Sequence, residues 1–181
     1  MFYNIIKNII GDDFLFYQAT PLEEWISQRY KAYGILEPTD LDEKTVGRTF
    51  NIYVYKRPVS STSYVNGRFR SITVDERETP EKQRELFYHE LCHVLRHVGW
   101  QSGIMPAAFR ELQEREARHF VRYAAIPLHM LKYIDLDDPN YVQNTAYKFH
   151  VTPTLCNERF TKIEARTSQF RSPSMIPNMI S

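Results

Sequence analysis

The sequence predicts an α+β fold, a mainly helical domain with one small antiparallel sheet and a helical pair toward its C-terminal end. Three observations lead there. Helix-start signals recur at Thr20-Pro21, Thr79-Pro80, Asp138-Pro139 and Thr152-Pro153, each placing a capping residue before a proline at the first helical position. β-forming residues in alternation are confined to the region 51–74. Within that region Asn66-Gly67, a favoured pair for a tight hairpin turn, separates two such runs.

The 181 residues suffice for one domain with a real core and a small appendage. The expected organisation is a main domain over residues 1–135, a helix-turn-helix-like pair over 136–167 packed on it, and a flexible tail over 168–181. With 25% charged and 43% apolar residues and a net charge of +1, the composition is that of a globular protein and names no polyanion as its main partner. Two cysteines make no disulfide framework, so a reducing cytoplasm is the expected setting.

Taken in order, residues 1–10 space Phe2, Ile5, Ile6, Ile9 and Ile10 as an amphipathic helix packed on the core. They are too short for a membrane span and have no signal-peptide cleavage site. Thr20, Pro21 and Glu23 form a capping signature for a helix whose stripe is Leu22, Trp25, Ile26 and Tyr30, with Gly34 as its stop. Asp40 and Glu43 suggest a short helix to about Phe50, followed by a strand over residues 51–55. The runs 60–65 and 68–74 should pair antiparallel, either as a cover for the core or as a strand that borders the site and captures an extended peptide. Thr79-Pro80 opens a long helix to about Val98, and Pro106 opens another to about Ala125.

The first of these long helices contains His89-Glu90-Leu91-Cys92-His93. Residues four apart on a helix lie one turn above each other, so both imidazoles can face one ion, for which Zn2+ is the natural choice. Glu90 is then placed to take a proton from an attacking water. A catalytic zinc usually has three protein ligands, and Arg96 and Gly99 exclude the metzincin continuation, in which a glycine and a histidine follow at those positions. Among Glu111, Glu114 and Glu116, the preferred third ligand is Glu116, because it falls between Leu112 and Phe120 on a face that Phe109 and Tyr123 extend. Glu114, His97, His119 or no third side chain remain the alternatives. His97 continues the imidazole row and His119 lies near Glu116, so either could support a ligand or meet substrate. Cys92 points away from that row and reads as a packed thiol. His129 and His150 stand outside any cluster.

These residues resemble the ImmA/IrrE family of zinc metallopeptidases. HELCH with His97 is similar to the family's HELGH with a histidine four residues on, and Glu116-Ala117-Arg118-His119-Phe120 through Ile126-Pro127 looks like its Glu-Ala-Asn-x-Phe block. Arg118 and Cys92 depart from the usual Asn or Asp and Gly. The resemblance implies a zincin-like, gluzincin-type fold with one Zn2+ per chain, and an endopeptidase that cleaves a helix-turn-helix repressor of a phage, mobile element or stress regulon. Two rivals remain. One is a non-cleaving anti-repressor that sequesters the same partner. The other is a DNA-binding regulator using Arg159, Lys162 and Arg166 of the C-terminal pair, although Glu158 and Glu164 dilute that basic face and direct nucleic-acid binding is not expected.

Overall fold

The computed structural model describes residues 17–97 and 106–170. The helix expected over 1–10 and residues 171–181 of the tail expected over 168–181 lie outside the described residues, while residues 168–170 continue the last helix. The described elements are α1 (Pro21–Ala32), a 3-10 turn (Pro38–Leu41), α2 (Glu43–Thr49), β1 (Tyr53–Arg57), β2 (Thr62–Asn66) and β3 (Phe69–Asp75). They continue with α3 (Pro80–Arg96), α4 (Ala107–Ala125), a second 3-10 turn (Leu128–Tyr133), α5 (Tyr141–Phe149) and α6 (Pro153–Phe170). The fold is mainly helical α+β, as expected. No described helix is long and apolar enough to cross a membrane.

Most local signals act as their chemistry requires, but the helix expected to start at Asp138-Pro139 begins at Tyr141, and Asp138 accepts the Asn140 N–H at 2.8 Å instead. Thr20 accepts from the Glu23 N–H at 3.0 Å while Glu23 accepts from the Thr20 N–H at 2.7 Å, a reciprocal capping box that starts α1. Gly34, at φ +75°, turns the chain after it. The next helix is capped by Asp42, not by Asp40, whose carboxylate is taken by the Leu36 and Glu37 N–H groups of the preceding turn.

The sheet differs from expectation in two ways. Its order is β1-β3-β2, and β1 joins β3 in parallel, so the sheet is mixed and not antiparallel throughout. The expected hairpin pairing of β2 with β3 is present, but Asn66 faces Phe69 as the last strand pair and the two-residue turn is Gly67-Arg68. Gly67 has φ +57° while Arg68 does not share a positive φ, the pattern of a turn with glycine at its first central position.

Helix α3 lies between the sheet on one side and α4 on the other. Its interior face is polar as well as apolar. Arg84 reaches Glu43 at 3.1 Å and the Phe149 carbonyl at 3.0 Å, and the Tyr88 hydroxyl donates to the Leu41 carbonyl at 2.9 Å. Glu85 Oε1 accepts both the N–H (3.0 Å) and the hydroxyl (2.6 Å) of Thr152, capping α6 from outside that helix. The same helix is therefore clamped to α2, α5 and α6. Between α5 and α6, His150 takes the left-handed conformation at φ 51°, ψ 51°, where a turn glycine is common.

The C-terminal pair shares the core: Phe149, Val151, Leu155, Cys156, Phe160 and Ile163 are buried with the residues of α3 and α4. Arg159 is fully buried. It pairs with Glu23 of α1 at 2.6 Å, donates to the Ile126 carbonyl at 3.3 Å, and lies 4.9 Å from the centre of the Tyr123 ring. Tyr17 donates to the same Glu23 carboxylate. Arg166 donates to the Gln18 carbonyl at 2.9 Å. Two of the three cations that would have made a DNA-reading face are thus engaged within the protein.

A buried ion pair broken from one side leaves an unpaired charge behind. Arg159→Met should cost about 3–5 kcal/mol in chemical denaturation, and much of that should return in the Glu23→Gln/Arg159→Met double variant. Burial alone would raise the Glu23 pKa, but Arg159, the Thr20 N–H and the Tyr17 hydroxyl together hold it below its ordinary 4.5. The stabilisation is therefore complete above pH 4.5 and lost as pH falls through the lower folded value. Thermal melts across this acid range should show that loss in the wild type and a flatter limb in Arg159→Met.

Candidate metal centre

The i, i+4 spacing brings His89 and His93 together as expected, with their Nε2 atoms 3.2 Å apart. The carboxylate that meets them is Glu114 of α4. Its Oε2 lies 3.2 Å from His89 Nε2 and its Oε1 3.3 Å from His93 Nε2. One donor atom from each residue falls within 4.8 Å of the other two.

Glu116, expected at this position from the sequence, lies elsewhere, with both its oxygens engaged. Oε1 accepts from Arg96 Nε at 2.5 Å and Oε2 is 3.1 Å from His97 Nε2. The difference is one of helix phase. Of the expected stripe, Phe120 and Tyr123 are buried but Phe109 and Leu112 are about half exposed, and the buried face centres on Ala117, Phe120, Val121 and Ala124. Glu114 precedes Ala117 by three residues and Val121 by seven, so it flanks this stripe on one side while Glu116 flanks it on the other.

The donors fit a metal ion of borderline softness. Burial holds the pKa values of both His89 and His93 below the ordinary imidazole value, against the opposing pull of Glu114 on His89 and of Glu90 on His93. The imidazoles are therefore biased toward the neutral form that ligation needs. Burial also raises the Glu90 carboxyl above its usual range, opposed by hydrogen bonds from Ser63 of β2 and by the nearby His93. The edge strand thus borders the site through Ser63, a contact the sequence reading did not name.

A cleft of about 630 Å3 opens beside the cluster, lined among others by Ser61, His89, Glu90, Arg118 and His119. His119 lies in this cleft rather than at the three-donor cluster, and burial together with Arg122, Lys162, Arg115 and Arg118 lowers its pKa. His97 closes α3: its backbone N–H donates to the His93 carbonyl at 3.1 Å, and its ring Nδ1 is 3.0 Å from His93 Nδ1. His129 Nε2 approaches the Ile35 carbonyl at 3.1 Å, away from the cluster.

The family model for the IrrE N-terminal-like domain, peptidase family M78, matches residues 48–161, a span that holds both helices of the cluster. The chain belongs to this family. Among curated proteins it is similar to the uncharacterized protein YqaB of Bacillus subtilis, with 29% identity over 147 residues, 80% of this chain and 85% of YqaB. It is also similar to the phage-like element PBSX protein XkdA of Bacillus subtilis, with 29% identity over 162 residues, 88% of this chain and 81% of XkdA. The family is one of metallopeptidases, and the three-donor cluster lies inside the matched region.

Cys92, within the histidine motif, is fully buried, and burial pushes its thiol up to about 12; Cys156 is raised to about 12 in the same way. Neither thiol should react with iodoacetamide in the native protein at pH 8, and both should label on unfolding, as read by intact-mass spectrometry.

Proposed function

We propose that the protein is a Zn2+-dependent endopeptidase acting on a protein substrate, with one ion per chain held by His89, His93 and Glu114. The observation that carries this reading is the convergence of two imidazoles and a carboxylate beside Glu90, in a chain of a peptidase family. Zn2+ bound there would polarise the scissile carbonyl and stabilise negative charge on its oxygen.

The chain's own groups supply the rest. Glu90 takes the proton of the attacking water and returns it to the leaving amine, and its burial makes it a stronger base than a solvated glutamate. Strand β2, at the sheet edge and joined to Glu90 through Ser63, offers backbone groups that hold a substrate peptide extended across the cleft. His119, in that cleft, is available to hydrogen bond to the substrate. The substrate class we assign is a helix-turn-helix repressor of a phage or mobile element. It rests on the family resemblance and on similarity to a protein named for a phage-like element. Arg159, buried against Glu23, gives no support to the rival DNA-binding reading.

The test incubates the zinc-loaded protein with repressors encoded beside its gene and reads fragments by mass spectrometry. Cleavage at a defined bond is expected. Glu90→Gln should retain one zinc per chain and lose roughly 100- to 10,000-fold in rate. Cleavage by Glu90→Ala at the wild-type rate would sink the base assignment. Glu114→Ala should lose its zinc on desalting while Glu116→Ala keeps it, and the reverse outcome would return the third-ligand role to Glu116.

A further inference from the structure

We infer that Glu116 and His97 form a proton-ordered relay that positions His93 as a metal ligand. The inference rests on the proposed ligation by His89, His93 and Glu114, and it assigns Glu116 a role other than ligation.

The relay follows from the order of atoms. Arg96 Nε donates to Glu116 Oε1, which leaves Oε2 for His97 Nε2 at 3.1 Å. His97 Nδ1 then faces His93 Nδ1 at 3.0 Å. Two ring nitrogens at that distance need one proton between them, so one must donate and the other accept. His93 turns its Nε2 toward Glu114 and His89, and a neutral imidazole that ligates through Nε2 carries its proton on Nδ1. His93 is therefore the donor and His97 Nδ1 the acceptor. The His97 proton is left on Nε2, where it donates to Glu116. Each link holds one proton, and with His93 a neutral ligand no other placement satisfies both contacts.

The surroundings hold this order in place. The His97 side chain is 8% exposed, so water competes little for its nitrogens. Arg96 also lies over the Trp25 ring of α1, 5.8 Å from its centre, with Arg29 at 5.7 Å from the same ring. The carboxylate is thus oriented by a guanidinium that is itself positioned against a second helix. A ligand whose far nitrogen donates to a fixed acceptor is held in one tautomer and one ring orientation, and it is a better electron donor to the ion. Glu116 acts on His93 only through His97, and both are positioning residues.

The experiment measures the Zn2+ dissociation constant by chelator competition for wild type, His97→Phe, Glu116→Ala, Glu116→Gln, the His97→Phe/Glu116→Ala double variant and Glu114→Ala. His97→Phe and Glu116→Ala should each weaken binding about 10- to 100-fold. The double variant should be no weaker than His97→Phe, because a carboxylate that works through an imidazole has nothing to act on once the imidazole is gone. Glu116→Gln, which can still accept through its amide oxygen, should recover most of the affinity. Long-range proton–nitrogen NMR of the zinc-loaded wild type should show His93 protonated at Nδ1 and His97 at Nε2. Apo-protein melting temperatures should stay at the wild-type value; affinity losses that appear only together with a lowered apo melting temperature would mark a fold defect and overturn the relay. Wild-type affinity in both single variants, additive losses in the double, or a His97 proton on Nδ1 would each overturn the relay. Failure of the underlying reading would look different: a wild type that binds no stoichiometric zinc, or a Glu114→Ala variant that binds it as tightly.

Discussion

Helix α3 has to be buried along most of its circumference and yet carry ionisable groups on more than one face. A polar group taken out of water needs a partner, or it costs several times what a hydrogen bond contributes. The chain meets that constraint by surrounding α3 with acceptors and donors from distant segments: the Leu41 carbonyl for Tyr88, Glu43 and the Phe149 carbonyl for Arg84, Thr152 for Glu85. These contacts fix the rotation of the helix about its axis. That rotation decides where His89, His93 and His97 point, so the structural face of α3 sets the aim of its chemical face.

Legibility in the sequence followed the range of the interaction. The capping box at Thr20 and Glu23, the starts of α3 and α6, and the pairing of two imidazoles four residues apart were readable because partner and signal lie within one turn. The parallel pairing of β1 was not, since nothing in residues 53–57 states which side of β3 they join. Nor was the position of Glu114 against the two imidazoles. Bulky Phe109 and Leu112 extend the apolar pattern of Phe120 and Tyr123 to the wrong phase, whereas the buried stripe of α4 centres on Ala117, Phe120, Val121 and Ala124. Small residues let two helices approach closely, and they carry little weight in a hydrophobic pattern even where they mark the contact. Counting back from Ala117 would have given Glu114 and Glu116 opposite flanks and so separate partners.

The basic side chains of the C-terminal helix show the same limit. Arg159 and Arg166 look solvated in sequence, and one is among the largest fully buried side chains while the other reaches the Gln18 carbonyl. The acidic Glu23, on a helix more than a hundred residues earlier, supplies the opposite charge for the interior position of Arg159.

The cap on α6 carries a consequence for how the molecule comes apart. Glu85 supplies the acceptor for both the N–H and the hydroxyl of Thr152, while Thr152 in turn accepts from the Leu155 N–H at 3.2 Å. The first turn of the last helix is therefore completed by a carboxylate from the histidine-bearing helix, 67 positions earlier in the chain. Undocking α6 would take both Thr152 donors from Glu85 Oε1 in the same event and leave that carboxylate with Lys82, 3.2 Å from its other oxygen. The two helices thus share a polar contact as well as buried core, and loss of one alters the surroundings of the other.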